Sequence, residues 1–212
     1  SGVPARGPFN SMLPFGYKGD EYYSNDPEKA KKLLDKAGFA DGDGDGIREV
    51  DGKNIVLEYI CSTRHGKRAQ SIGTAMQSQY KAIGIGLKII QLESIVELGK
   101  KGQFDFMYYR MTSAPTADPQ YFLDAGFKTG GYGNDGKYSN AEFDALCDKL
   151  DNTFDKAERN KMGIEATKIL LEDNAAIFLF YGLGHVVTGK KVDGVYRFIS
   201  EVYYIDDRVR MK

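Results

Sequence analysis

Residues 102–123 read GQFDFMYYRMTSAPTADPQYFL, and this stretch indicates the fold. The apolar run from Phe104 to Tyr109 has the length and aromatic content of a buried strand, and it ends on Arg110. An aperiodic, proline-containing loop follows, and then Asp118 and Pro119 predict the N-cap and first turn of a helix. Ligands of open α/β sheets lie beyond the carboxyl ends of the strands. The loop after Arg110 is therefore predicted to contact a small molecule.

The rest of the chain alternates predicted helices with predicted strands. Helices are expected to start at Asp26, span 68–83 and 94–101, and start again at Ser139 and Asp155, with strands at 54–60, 85–90 and 175–181. Because 175–181 is apolar throughout, it is expected to be covered on both faces, with His185 at the edge of the core. This order predicts an α/β fold with a mixed sheet flanked by helices.

The composition argues against several classes of function. The net charge is −1 over 212 residues, so the chain lacks the basic excess that nucleic-acid binding requires. No apolar run approaches the roughly 18 residues of a membrane span. Cys61 and Cys147 are expected to be buried free thiols, although a disulfide between them is the alternative.

An enzyme is the other class of protein to exclude from the sequence. No serine lies in a Gly-x-Ser-x-Gly turn, and the glycine-rich stretch 130–136 lacks the Lys-Ser/Thr of a phosphate loop. Glu172 and Asp173 are adjacent on a helix and therefore do not face each other. The expectation is a protein that binds without chemistry.

Several motifs occur in the order found in a known family. These are AKKLLDKAGF at 30–39, DGDGDGIRE at 41–49, QSQYKAIGI at 77–85, YSNAEFD at 138–144 and LEDNAAI at 171–177. Together they resemble the peptide/nickel class, family 5, of the extracytoplasmic solute-binding proteins of ABC transporters. The resemblance implies a lobe like those of type II periplasmic-binding proteins.

Within that class the chain resembles the nickel-binding members most. Those members have an Arg, a Trp two residues later, and then Gly-Ala-Pro-Tyr-Asp-Pro. Arg110 and Ala114-Pro115 match this pattern, whereas Thr112 and Thr116 replace the Trp and the Tyr. Residue Ala117 is additional, and no His lies in 126–138. The resemblance implies nickel or a metal–chelator complex as cargo, with an oligopeptide or dipeptide as the alternative.

The ligand contacts are expected around this loop. Arg110 carries a fork of donors suited to a carboxylate or a chelated anion, and its alternative is a structural pair with Asp118 or another acidic residue. Thr112, Ser113 and Thr116 offer hydroxyl groups that could instead cap the backbone. Tyr109 is a ligand contact or a core residue, and Tyr132 could stack on a ligand. By resemblance to oligopeptide-binding relatives, His65 is a further contact; its alternative is a solvated loop residue.

The loop that carries Asp41, Asp43 and Asp45 is spaced like the first half of an EF-hand. Gly52 stands where an EF-hand has its bidentate Glu, and Glu49 and Asp51 could substitute in part. The sequence allows a structural Ca²⁺ here, and a calcium-stabilised structural module is a second alternative for the function. The other interpretation is a glycine-rich turn.

The resemblance also implies where the chain belongs. Residues 1–212 are expected to be the C-terminal lobe of a two-lobed protein, with 1–25 as an extended wrapping segment and 195–212 as a tail that reaches the missing N-terminal lobe. An ABC permease is the implied membrane partner. The implied location is periplasmic or extracellular, as a cell-surface lipoprotein in some members, with the signal peptide outside this chain.

Overall fold

The computed structural model describes residues 2–182, 187–196 and 206–212, which form two compact units. We call Tyr23–Arg110 the sheet unit, and the segments up to Tyr22 and from Met111 onward the helical unit. The described elements, in chain order, are β1 (Gly2–Pro4), α1 (Pro27–Lys36), β2 (Glu49–Val50), β3 (Lys53–Asn54), β4 (Val56–Ser62), a 3-10 turn (Thr63–His65), α2 (Gly66–Lys81), β5 (Gly86–Leu92), α3 (Val96–Lys101), β6 (Phe106–Met107), α4 (Gln120–Gly126), α5 (Ala141–Asp151), α6 (Lys156–Glu172), β7 (Phe180–Gly182), β8 (Val192–Asp193) and β9 (Arg210–Met211).

A parallel three-stranded sheet organises the sheet unit, with β4 between β5 and β6. Its core is an apolar cluster under α2, formed by Tyr59, Cys61, Ala69, Leu87 and Tyr108. A Cβ atom at Gly73 would lie 2.8 Å from the Tyr59 ring, so α2 needs a glycine there to approach the sheet. The Tyr59 hydroxyl also donates to the Ala69 carbonyl at 2.9 Å.

The predicted strand 104–109 is shorter than expected, because only Phe106–Met107 is a strand. Among the described strands, β6 pairs with β4 alone, which makes it an edge strand rather than a strand enclosed on both sides. Tyr108 still donates its N–H to the Ile60 carbonyl, and its side chain is buried. The Tyr109 side chain is 56% exposed, so the interpretation of Tyr109 as a core residue is wrong.

Helices α4, α5 and α6 enclose the core of the helical unit. The buried side chains of these helices include Leu123, Phe143 and Leu170. Phe9 and Phe15 of the N-terminal segment belong to the same core, with ring centroids 4.9 Å apart. The segment that was expected to be extended and to wrap the fold thus supplies two of its largest fully buried side chains. The assignment of 1–212 to a single lobe stays a prediction.

The helix starts show where short-range sequence signals succeed and fail. Asp26 and Asp155 cap α1 and α6 as predicted, each accepting a hydrogen bond from a backbone N–H in the first turn. The predicted cap Ser139 is wrong, because Asn140 accepts from the N–H groups of Glu142 and Phe143 instead. α4 begins two residues after Asp118, which accepts from the Gln120 N–H.

The predicted strand 175–181 is also reduced, to Phe180–Gly182, which pairs antiparallel with β1. The expectation that this segment is covered on both faces is wrong, since Ile177 and Leu179 are 58% and 41% exposed. His185 and 197–205 of the tail lie outside the described residues. Parallel and antiparallel pairings occur in separate sheets of the described chain, and not in one mixed sheet.

The expectation for the two cysteines is confirmed. Cys61 and Cys147 are buried and free. Among the helices that the structure describes, none has both the length and the apolar character to cross a membrane.

Candidate functional site

The carboxyl edge of the parallel sheet brings together residues that are distant in sequence. β4, β5 and β6 run in the same direction, so the residues that follow them meet at one edge. His65 follows β4, Glu93 follows β5 and Arg110 follows β6. The Ser62 hydroxyl links the first two loops, because it donates to the Glu93 carbonyl at 2.7 Å. This edge is where α/β sheets bind ligands.

His65 is held against Tyr108 with unused hydrogen-bonding capacity. The two rings meet edge to face, with centroids 5.2 Å apart. The Nδ1 atom of His65 is buried and has no hydrogen-bond partner among the described residues. Burial, and then the positive charge of Arg110, hold the pKa of His65 below its ordinary value. The imidazole is therefore neutral at neutral pH and offers a lone pair to a ligand.

Arg110 presents a guanidinium that the sheet unit leaves open. Its side chain is exposed, and it lies close enough to His65 to lower that residue's pKa. Arg110 is not among the ion-paired residues described in this unit, whereas the neighbouring Arg64 pairs with Glu93 at 3.4 Å. A neutral imidazole beside a free guanidinium suits a ligand that carries an anionic group.

The other predicted ligand residues divide between the two units. Tyr109 is exposed in the sheet unit, beside Arg110. In the helical unit Thr112 is exposed and Ser113 is half-buried. Thr116 lines a cleft, and Tyr132, the predicted stacking residue, lines the same cleft. The ligand roles of all these residues stay predictions.

The cleft of the helical unit has a volume of about 520 Å³. It lies among α4, the glycine-rich stretch 130–136 and the start of α6. Its walls comprise Thr116, Asp118, Gln120, Tyr121, Asp124, Ala125, Gly131, Tyr132 and Arg159. The hydroxyl groups of Tyr121 and Tyr132 share a hydrogen bond of 2.5 Å, and Tyr132 is 72% exposed. Sequence reasoning did not predict this cleft.

Asp118 and Arg159 form a closed ion pair in the cleft wall. Arg159 donates to both carboxylate oxygens, at 2.8 Å from Nε and 2.7 Å from Nη2. The hydrogen bonds from Arg159 hold the pKa of Asp118 below its ordinary range, against the opposing effect of burial. The structural partner of Asp118 is therefore Arg159. The sequence analysis had considered Arg110 for this pairing.

Asp124 is a carboxylate of the cleft with one oxygen that the described residues leave without a hydrogen bond. Its Oδ1 atom is buried and accepts no hydrogen bond from the described residues. Burial, and next the charge of Asp151, raise the pKa of Asp124. The sequence contains a signal for this residue, since Asp124 interrupts the apolar run of Phe122, Leu123 and Ala125, but the sequence analysis did not use it.

The three aspartates of the glycine-rich loop lie together as their spacing predicted. One carboxylate oxygen from each of Asp41, Asp43 and Asp45 lies within 4.8 Å of the others, and all three residues are exposed. Asp41 accepts from the N–H groups of Gly44 and Gly46 at 2.8 and 2.9 Å. These hydrogen bonds are sufficient to stabilise the loop as a turn. A calcium ion bound there stays a prediction.

Comparison with known proteins identifies relatives of two kinds. Residues 1–134 match the family model for bacterial extracellular solute-binding proteins, family 5 middle. The nickel-binding protein NikA of Staphylococcus aureus is 28% identical over 99% of this chain. The oligopeptide-binding protein AppA of Bacillus subtilis is 31% identical over 79% of it.

Solved structures have the same fold. NikA from Staphylococcus aureus in complex with Ni(L-His)2 matches all of this chain with a TM-score of 0.76 at 22% identity. A nickel ABC transporter structure from Bacillus halodurans matches 98% of it with a TM-score of 0.77 at 25% identity. The predicted α/β fold, that of type II periplasmic-binding proteins, is thereby confirmed. The chain spans 40% of the length of NikA and 31% of that of AppA.

Proposed function

Because this chain belongs to family 5 of the bacterial extracellular solute-binding proteins, we propose that it is part of the substrate-binding component of an ABC importer. In this proposal the protein captures nickel or a metal–chelator complex outside the membrane. The cargo shifts the protein toward a closed form of two lobes, which docks on the permease. The step is capture without chemistry, and the missing N-terminal lobe supplies the remaining contacts.

The observation that carries this proposal is the pair formed by His65 and Arg110 at the carboxyl edge of the sheet. A chelated metal ion carries carboxylate oxygens that a guanidinium can bind in pairs. A neutral imidazole nitrogen adds either a hydrogen bond or a metal ligand. The solved structure of NikA from Staphylococcus aureus, which matches the whole of this chain, is a complex with Ni(L-His)2.

A peptide is the alternative cargo. AppA is named as an oligopeptide-binding protein, and its structure with a nonapeptide matches 93% of this chain with a TM-score of 0.76. The same guanidinium would bind the peptide carboxylate. Pro115 stands closest to the position where peptide-binding members have an Asp for the amino group, so the loop itself favours the metal complex.

Location and calcium belong to the proposal as well. We place the protein outside the cytoplasm, as a periplasmic protein or a cell-surface lipoprotein. Calcium at Asp41, Asp43 and Asp45 would have a structural role only, and calorimetry with Ca²⁺ tests it. A calcium-stabilised module without transport function is the second alternative; the exposed guanidinium of Arg110 at a ligand-binding edge favours transport.

The test uses the longer protein that contains this chain. Nickel with L-histidine is titrated into the wild type and the Arg110→Ala variant by calorimetry, and a nonapeptide is titrated in parallel. We expect the variant to bind the nickel–histidine complex roughly tenfold or more weakly, the loss typical of a charge-assisted contact. Mass spectrometry of the ligand that co-purifies with the wild type identifies the natural cargo.

Lys53→Ala provides the matched control, because Lys53 is an exposed cation just before the amino end of β4. This variant changes the net charge equally and should bind as the wild type does. Unchanged affinity in Arg110→Ala would remove Arg110 from the site. Tight binding of the nonapeptide but not of nickel–histidine would replace the first cargo by the alternative.

A further inference from the structure

We infer that Asp124 binds a positively charged nitrogen of the solute in the cleft of the helical unit. This inference rests on the proposed function, since it assigns a subsite of the same solute-binding protein. Its basis is a carboxylate that lines an open cleft and has a buried oxygen without a hydrogen-bond partner in the part of the chain that the structure describes. A partly buried carboxylate with an unsatisfied oxygen is unfavourable as an anion, so a cationic donor that contacts this carboxylate from the cleft gains more than it would at the surface.

The neighbouring cations are already engaged elsewhere. Arg159 is committed to Asp118, and it also donates to the carbonyl groups of Leu150 and Thr153. Lys128 contacts Asp148 at 2.6 Å, and Asp151 only at 3.8 Å. Among the described residues, no cation forms an ion pair with Asp124.

The groups around Asp124 compensate its charge only in part. Lys128 lies near enough to lower the pKa of Asp124, but burial and the like charge of Asp151 outweigh it. Asp151 lies near enough to raise the pKa of Asp124, which is the effect of a like charge. The thiol of Cys147 lies against the same carboxylate, but a thiol is a weak donor. The excess of negative charge disfavours an anionic group in this part of the cleft and favours a cationic one.

The chemistry of the walls indicates an ammonium group more than a bare metal ion. A metal ion needs several ligands at once, and the second carboxylate of the cleft, Asp118, is occupied by Arg159. Tyr121 and Tyr132 add aromatic side chains to the walls, which are favourable neighbours of an organic cation. The amine can come from the amino end of a peptide or from an amino-acid chelator.

The experiment compares charged and neutral probes on the 212-residue chain, because the cleft lies within one unit of it. Gly-Gly-NH2 represents a peptide amine, L-histidinamide represents the amine of an amino-acid chelator, and N-acetyl-Gly-Gly-NH2 is the neutral match of the first. Binding is followed by NMR chemical shifts of α4 and of residues 130–133. We expect at least one free amine to bind about fivefold or more tightly than the acetylated probe.

Two variants assign the effect to Asp124. Asp124→Asn preserves the shape of the side chain and should abolish the preference for the free amine. Glu165→Gln, which removes an exposed carboxylate of α6, should retain it. Circular dichroism verifies that both variants fold, and the comparison of probes in the wild type stands without either variant.

Three results would overturn the inference: equal binding of charged and acetylated probes by the wild type, a preference that survives in Asp124→Asn, and NiCl2 competing with the amines at α4. Which of the two amines binds decides the source of the cationic group. Since the amine probes contain no metal and the readout lies in the helical unit, a failure here is distinct from a failure of nickel–histidine binding at Arg110.

Discussion

At the scale of single residues, the chemistry of the sheet edge depends on how deeply each side chain is buried. Tyr108 and Tyr109 are neighbours in sequence, yet the first is buried and the second is 56% exposed. Alternation along the chain places them on opposite sides, and only the fold decides which side is the core. Tyr108 then provides the surface against which His65 packs.

His65 should make the stability of the protein depend on pH. Its pKa in the folded state lies below the unfolded value of 6.5, so the unfolded state binds a proton more readily. The contribution of His65 to stability is therefore complete above about pH 6.5 and is lost as the pH falls toward the folded pKa. NMR titration of the imidazole should give a pKa below 6.5.

The His65→Gln variant is the control for this prediction. Denaturant unfolding of the wild type and the variant is compared between pH 7 and pH 5. The wild type should lose more free energy of unfolding over this range than the variant does. Identical pH profiles, or an imidazole pKa at or above 6.5, would contradict the burial of His65 beside Arg110.

At the scale of elements, α5 shows how a local signal can be displaced by one residue. Ser139 and Glu142 have the spacing of a capping box, but Asn140 caps the helix. The Asn140 amide also donates to Asp173, at 2.7 Å, and so connects the start of α5 to the end of α6. This tertiary bond favours Asn140 over Ser139 as the cap.

The Asn140→Ala variant should therefore be destabilised by about 1 to 2 kcal/mol, the usual cost of a lost N-cap. Ser139→Ala is the matched control, because Ser139 is exposed and its hydroxyl contacts that of Thr129. We expect this control to change the free energy of unfolding by less than about 0.5 kcal/mol. If chemical denaturation shows equal destabilisation of the two variants, Asn140 is not the residue that caps α5.

Arg159 connects three helices through one side chain. It projects from α6, binds Asp118 in front of α4, and donates to the Leu150 carbonyl in α5. The guanidinium has five donors in a fixed plane, which a lysine cannot reproduce. This connection sets the wall of the cleft as well as the packing of the helices.

Removing the guanidinium should thus be costly. Arg159→Ala removes the guanidinium that binds both oxygens of Asp118 and donates to two carbonyl groups, and we expect a loss of about 2 to 3 kcal/mol, somewhat below that of a fully buried pair. Lys161→Ala, an exposed cation on the same helix, should change stability little. Thermal and denaturant unfolding measure both variants, and a loss below about 1 kcal/mol in Arg159→Ala would contradict the structural role of the pair.

At the scale of the whole molecule, the chain corresponds to part of a longer relative. It spans 40% of NikA from Staphylococcus aureus, with which it aligns over nearly its full length. A protein that encloses its ligand between lobes distributes the contacts over both. Arg110 is exposed in this chain, as expected for a ligand contact that a second lobe would cover.

The 212-residue chain alone should consequently bind its cargo weakly. Calorimetry with nickel–histidine should give an affinity at least roughly tenfold below that of the longer protein, which corresponds to about 1.4 kcal/mol or more of missing contacts. Equal affinities for the two would show that this chain holds the complete site and would remove the second lobe from the mechanism.

The sequence by itself determined the family, the α/β class, the order of helices and strands, the free thiols and the caps at Asp26 and Asp155. These depend on neighbours along the chain, such as apolar periodicity and side chains that reach their own helix start. It also led to the prediction that Arg110 is a ligand contact, because a cation at the end of an apolar run is a local pattern.

Tertiary structure alone decided the short edge strand β6, the exposure of Ile177 and Leu179, and the pairing of Asp118 with Arg159. It also decided that His65 Nδ1 and Asp124 Oδ1 have no hydrogen-bond partner within the described ranges. Asp118 and Arg159 are 41 residues apart in the chain, and nothing between them encodes their distance. Burial and hydrogen-bond satisfaction are properties of the space around an atom, and that space is filled by residues remote in sequence.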